Sequence, residues 1–132
     1  MIGLDTNILV RLLVADDPDQ TARAQRFVAA RCTREMPCFI NCIVLAELVW
    51  VLARVYDYSR TTIAGVVENL LSGDDRVVEH HDEVRAALED YRSRRADFID
   101  ALILRINGAR GCEAMATFDD RAARLNGFVL VD

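Results

Sequence analysis

A chain of 132 residues, 52% hydrophobic and 28% charged, is long enough to fold as one soluble globular domain around a true apolar core. Its net charge of -5 argues against nonspecific nucleic-acid binding through overall charge, although not against a local basic rim. No apolar run reaches the ~18 residues of a membrane span, and no basic segment followed by an apolar core opens the chain, so a cytoplasmic protein without membrane contact is expected.

All sixteen cationic residues are Arg, which removes every mechanism that needs a lysine amine. The four cysteines, Cys32, Cys38, Cys42 and Cys112, form no CxxC pair and read as small apolar core residues. The two histidines, His80 and His81, are adjacent, so no zinc site is expected.

In chain order, a short apolar strand, residues 1–4, delivers Asp5 to its carboxyl end and turns directly into a helix from Thr6 to about Val14, capped by Thr6 or Asn7. Pro18 suits the first turn of a second helix, about 18 to 32. Met36 to Ile40 reads as a strand. Cys42 to Tyr56 is a helix apolar nearly all round and therefore deeply buried. Ser59 caps a helix running to Leu71, stopped by Ser72-Gly73. Arg76 to Glu79 is a third strand. Asp82 to Arg94 is an amphipathic helix with Val84, Ala87, Leu88 and Tyr91 on one side, and Asp97 to Ala109 is the next helix. Glu113 to Phe118 is a strand ending on Asp119-Asp120, Arg121 to Leu125 a short helix, Asn126-Gly127 a turn, and Phe128 to Val131 the last strand. Strands alternating with helices predict an α/β fold of three layers, α/β/α, with a central, mostly parallel sheet flanked by helices. Residues 1–132 are expected to form a single domain.

Several carboxylates draw attention. Asp5 and Asp119 each end a strand, where ligands of open α/β sheets bind, although both also serve as helix caps. Glu47 lies in Leu45-Ala46-Glu47-Leu48-Val49-Trp50, where an isolated buried charge costs several kcal/mol unless paired or metal-bound. The alternative is a thin polar edge reaching water or an Arg. Asp97 and Asp100 are three apart at a helix start and share a face. Asp97 reads equally as a cap favoured by the helix dipole, whereas Asp100, one turn in, reads as functional. Converging carboxylates repel unless a cation joins them, and an all-oxygen set without His or Cys suits Mg²⁺ or Mn²⁺. Such an ion activates water and stabilises a phosphoryl oxygen, which is phosphodiester hydrolysis.

Asp5-Thr6-Asn7, Leu45-Ala46-Glu47-Leu48, Asp97 to Ile103 and Thr117-Phe118-Asp119 together resemble the acidic motifs of PIN-domain nucleases, and in size and motif order the VapC-type toxins of toxin–antitoxin pairs. The resemblance covers the whole chain. It implies a PIN domain over residues 1–132 and a Mg²⁺-dependent endoribonuclease, with tRNA the first substrate to test and ribosomal RNA the next. It also implies Asp5 and Asp100 as metal ligands, Glu47 and Asp119 as further acids of the site, and Thr6 as a hydroxyl that helps hold the ion or its water. Asp97 is an additional catalytic candidate, and which of Asp97 and Asp100 lies closer to the ion stays open. The resemblance further implies a homodimer and a cognate VapB-type antitoxin. Asn41-Cys42 departs from the Ser or Thr that relatives often carry before the Glu47 helix.

Arg92, Arg94 and Arg95, just before the Asp97 helix, are candidate phosphate contacts for RNA, or a solvated helix end. Trp50, Tyr56 and Tyr58 read as packing residues, with Trp50 also a candidate dimer contact. A haloacid-dehalogenase-type phosphatase would need an Asp where Asn7 stands, and a later Lys, so it fails on both counts. An RNA-processing nuclease without an antitoxin, and a non-catalytic acidic groove for an Arg-rich partner, remain as alternatives.

Overall fold

The computed structural model describes residues 1–94 and 96–132, with Arg94 described by its backbone alone. The chain forms two compact units, Met1–Glu79 and His80–Asp132.

In the first unit the strand order follows from parallel pairing on both sides of β1 (Cys38–Ile40). Residues 2–4 lie along one side, with the Phe39 N–H donating to the Ile2 carbonyl at 2.8 Å and the Leu4 N–H to the Phe39 carbonyl at 2.9 Å. Strand β2 (Arg76–Val78) lies along the other, with Cys38 opposite Arg76 and Ile40 opposite Val78. The opening strand is thus confined to a single bridge, Gly3 to Phe39.

Helix α1 (Thr6–Leu13) starts on Asp5, and α2 (Pro18–Arg31) on Asp17, whose carboxylate accepts from the Gln20 N–H. Helix α3 (Cys42–Arg54) starts on Asn41, whose side-chain oxygen accepts from the Val44 N–H at 2.8 Å. Helix α4 (Arg60–Ser72) starts on Ser59, which accepts from the Thr62 N–H at 3.1 Å. Each cap satisfies one amide that the first helical turn leaves without a partner. Ile40, Leu45, Leu48, Leu52, Ile63 and Val67 are fully buried and form this unit's core.

In the second unit α5 (His81–Arg94) packs on α6 (Phe98–Ala109). Val84, Ala87, Leu88 and Tyr91 are all buried, as their spacing predicts. Tyr91 meets the Phe98 ring edge-on, with centroids 5.9 Å apart. Asp90, on the same face of α5, is also buried and takes a bidentate hydrogen bond from Arg105 of α6, both contacts at 2.8 Å. Gly111, at φ +102°, ends α6 in the left-handed conformation that a side chain resists. Strand β3 (Met115–Thr117) pairs in parallel with β4 (Phe128–Leu130), joined through a 3₁₀ turn, Ala122–Arg124, which lies within the short helix expected over Arg121 to Leu125. Gly127, at φ +107°, brings the chain back into β4. Every strand pair is parallel and strands alternate with helices, as the α/β class requires.

Two expectations are corrected. Helix α3 is not buried all round: Ile43 is 74% and Trp50 53% exposed, and Glu47 lies exposed between them on the same stripe. Composition reports how apolar a helix is, not how many of its faces have neighbours. Nor are the cysteines uniformly core residues. Cys42 is buried, but Cys112 is exposed, and Cys32 and Cys38 form a disulfide because the end of α2 and the start of β1 return to within 5.0 Å, Cα to Cα. Among the described residues no helix is long and apolar enough to cross a membrane.

Candidate functional site

The first unit contributes Asp5, Thr6 and Glu47. Asp5 ends the opening extended segment and accepts from the Thr6 N–H at 2.8 Å, so the cap of α1 is Asp5 and not Thr6 or Asn7. The Thr6 side chain, itself buried, turns inward and its hydroxyl donates to Glu47 Oε1 at 3.2 Å. This contact joins the first turn of α1 to the middle of α3 across 41 residues of sequence. Glu47 is therefore not a charge stranded in apolar surroundings: its carboxylate is exposed, and a neutral hydroxyl orients one oxygen while water reaches the other.

An acid that sequence reasoning passed over sits in the same unit. Glu79 follows β2 directly, and its Oε1 accepts from the Cys42 N–H at 2.9 Å, adding a second cap to α3 beside Asn41. The signal was available, since Arg76-Val77-Val78-Glu79 ends a strand on an acid just as the segments before Asp5 and Asp119 do. With Asn41 in place of a hydroxyl residue, the Cys42 and Val44 amides at the start of α3 are both capped.

The second unit contributes Asp97, Asp100 and Asp119. Asp97 precedes α6 in extended conformation, and its Oδ2 accepts from the Asp100 N–H at 3.2 Å. It is the cap, as one of its two readings predicts. Asp119 follows β3, where its N–H donates to Thr117 Oγ1 at 3.0 Å and its Oδ1 accepts from the Arg121 N–H at 2.8 Å. Asp100 lies one turn inside α6 and is half-buried. Burial, then the negative charges of Asp97 and Asp119, raise its carboxyl pKa from the ordinary value. Asp97 and Asp119 thus both act electrostatically on Asp100.

Asp5, Asp97 and Asp119 each use an oxygen to cap a backbone amide, which leaves the second oxygen as an acceptor. Among the described residues no group of three or more His, Cys, Asp or Glu side chains is arranged to hold a metal ion. The donor set is nonetheless all carboxylate and hydroxyl oxygen, the chemistry of Mg²⁺ and Mn²⁺.

Two grooves lie elsewhere. One of about 560 Å³ in the first unit is lined by Asn7, Ile8, Arg11, Gln20, Arg23 and Phe27, and one of about 420 Å³ in the second unit lies against the C-terminal end of α6. Neither is lined by the five carboxylates. Arg92 is exposed on α5, whereas the Arg94 side chain and Arg95 lie outside the described residues. Tyr56 hydrogen-bonds Asp16 at 3.0 Å, and Trp50 is largely exposed rather than packed.

Comparison with known proteins gives two findings. The PIN domain family matches residues 2–127. The chain is also similar to a VapC ribonuclease of Aquifex aeolicus (strain VF5), at 27% identity over 129 residues, which is 98% of this chain and 94% of that one. No solved structure matches significantly.

Proposed function

The chain belongs to the PIN domain family, and on that premise we propose that it is a metal-dependent endoribonuclease, the VapC-type toxin of a toxin–antitoxin pair. The observation that carries the proposal is the Asp97–Asp100–Asp119 cluster, in which two neighbouring negative charges and burial work against ionisation of Asp100. Mutual repulsion of this kind is relieved by a divalent cation. The family resemblance and the similarity to a VapC ribonuclease give the cluster its chemistry.

Asp5 and Asp100 are proposed to hold the ion, Mg²⁺ or Mn²⁺, with Glu47, Asp97 and Asp119 as further acids of the site. A bound divalent ion supplies a nucleophilic water at neutral pH and charge stabilisation at the phosphoryl oxygen. The chain's own groups do the rest. Thr6 orients the Glu47 carboxylate, which can accept a proton from the attacking water. The caps at Asp5, Asp97 and Asp119 each tie one carboxylate oxygen to a backbone amide and leave the second oxygen to accept the ion.

Transfer RNA is the first substrate proposed, and ribosomal RNA the second. The partners proposed are a VapB-type antitoxin and a second copy of the chain, and the compartment is the cytoplasm. There the cellular thiol pool would keep Cys32 and Cys38 reduced, so the disulfide belongs to oxidised protein.

The test is cleavage of a purified tRNA pool with Mg²⁺, with Mn²⁺ and with EDTA, alongside Asp5→Asn and Asp100→Asn. Discrete fragments lost in EDTA and in both variants are expected. Intact tRNA and ribosomal RNA in the presence of folded protein and either metal would overturn the nuclease assignment, and cleavage surviving Asp5→Asn would overturn its place in the site.

A further inference from the structure

The most exposed large apolar side chain among the described residues is Phe118, at 82%. A phenyl ring left in water forgoes the gain of burial, and this ring is not held out by a loose chain. On its N-terminal side Thr117 is the last residue of β3, opposite Leu130, and its carbonyl accepts from the Val131 N–H at 2.8 Å. On its C-terminal side Asp119 is tied at three points: its N–H to Thr117 Oγ1, its Oδ1 to the Arg121 N–H, and its carbonyl to the Ala123 N–H. The backbone of residue 118 is therefore fixed between a strand and a 3₁₀ turn.

What surrounds the ring identifies what it is held out for. Asp119, the next residue, interacts electrostatically with Asp100. The turn that follows carries two exposed guanidinium groups, Arg121 and Arg124, neither in an ion pair with a described residue. A rigid aromatic ring and two cations without an ion pair to a described residue occur within seven residues of chain, 118–124, beside Asp119. Unpaired nucleic acid is recognised by that combination, bases stacking on rings while cations track the phosphates.

We infer that Phe118 is a stacking platform for an unpaired nucleobase of the RNA substrate, with Arg121 and Arg124 gripping the adjoining phosphates. This rests on the nuclease reading above and deepens it: the RNA enters single-stranded, as a loop or a splayed end. A base pair in a helix offers no free face to the ring, so duplex RNA is a poor ligand. Phe118 acts on substrate positioning and not on proton transfer.

The test compares wild type with Phe118→Leu, which stays apolar but lacks the ring, and Phe118→Trp, which keeps an aromatic face. The first probe is a 12-nucleotide unstructured RNA carrying 2-aminopurine at its centre, titrated in EDTA so that binding is read without cleavage. Wild type and Phe118→Trp are expected to quench the probe, and Phe118→Leu to bind it about 5- to 150-fold more weakly, the range for losing one stacked base. On the tRNA pool, Phe118→Leu is expected to raise KM by a similar factor with kcat little changed.

Equal binding by wild type and Phe118→Leu would overturn the platform while leaving any observed cleavage, and so the nuclease reading, intact. Equal affinity of the wild type for the same sequence as a duplex would also overturn it. So would a change of oligomeric state in Phe118→Leu by sedimentation, which would assign the ring to a second copy of the chain. A wild type that binds and quenches the probe yet cleaves no RNA would sink the nuclease reading and support the platform.

Discussion

The ion pair between Asp90 and Arg105 joins the two helices of the second unit, and its lopsided burial makes an unequal prediction. The Asp90 side chain is 8% exposed and that of Arg105 42%. Replacing Arg105 by Met leaves a largely buried carboxylate without its ion-pair partner, which costs about 3–5 kcal/mol. Replacing Asp90 by Leu leaves a guanidinium that already reaches water, so about 1–2 kcal/mol of hydrogen bonding is lost. Replacing both removes the charges together and brings stability back to within about 1 kcal/mol of wild type. For 132 residues each kcal/mol moves Tm by about 3.6 °C. Arg105→Met should therefore melt about 11–18 °C below wild type, Asp90→Leu about 4–7 °C below, and the double variant close to wild type. Calorimetry on the four proteins, with urea melts at one temperature as a second measure, reads this directly. Equal losses in the two single variants, or a double variant that loses the sum, would refute the reasoning that the buried partner sets the cost.

Three further outcomes follow from the carboxylates and the cysteines. The Asp100 carboxyl is held above its ordinary pKa, so the native state binds that proton more tightly than the unfolded chain. Wild type consequently loses relative stability as pH rises from the ordinary value through the raised one. In EDTA, Asp100→Asn should melt above wild type near pH 7 and converge with it near pH 3; a gap independent of pH would contradict this. Thr6→Val should lower kcat/KM about fivefold by freeing the Glu47 carboxylate, and should do nothing further in a Glu47→Gln background, as a double-mutant cycle would show. Replacing Cys32 and Cys38 by Ser should cost about 2 kcal/mol, or about 7 °C, under oxidising conditions. Dithiothreitol should bring the wild type down to the variant.

The element boundaries are local chemistry, which is why a single sequence shows them. Asp17, Asn41, Ser59 and Asp97 each cap the amide three residues ahead, so the cap and the helix it starts are written side by side. The acidic motifs are legible for the same reason, each being a short pattern at a strand end or helix start. Burial was not. Leu45-Ala46-Glu47-Leu48-Val49-Trp50 states that α3 is apolar but not which face its neighbours cover, and the structure leaves Ile43, Glu47 and Trp50 in the open.

Partners distant in sequence were equally illegible: Thr6 with Glu47, Glu79 with the amide of Cys42, Arg105 with Asp90, and Cys32 with Cys38. Each depends on where the chain returns, and no local pattern encodes that return. The family and the α/β class were thus legible in sequence. Which acid is buried, which acid a hydroxyl orients and which aromatic ring stands in water were decided by tertiary structure, because exposure and long-range contact belong to the packed chain.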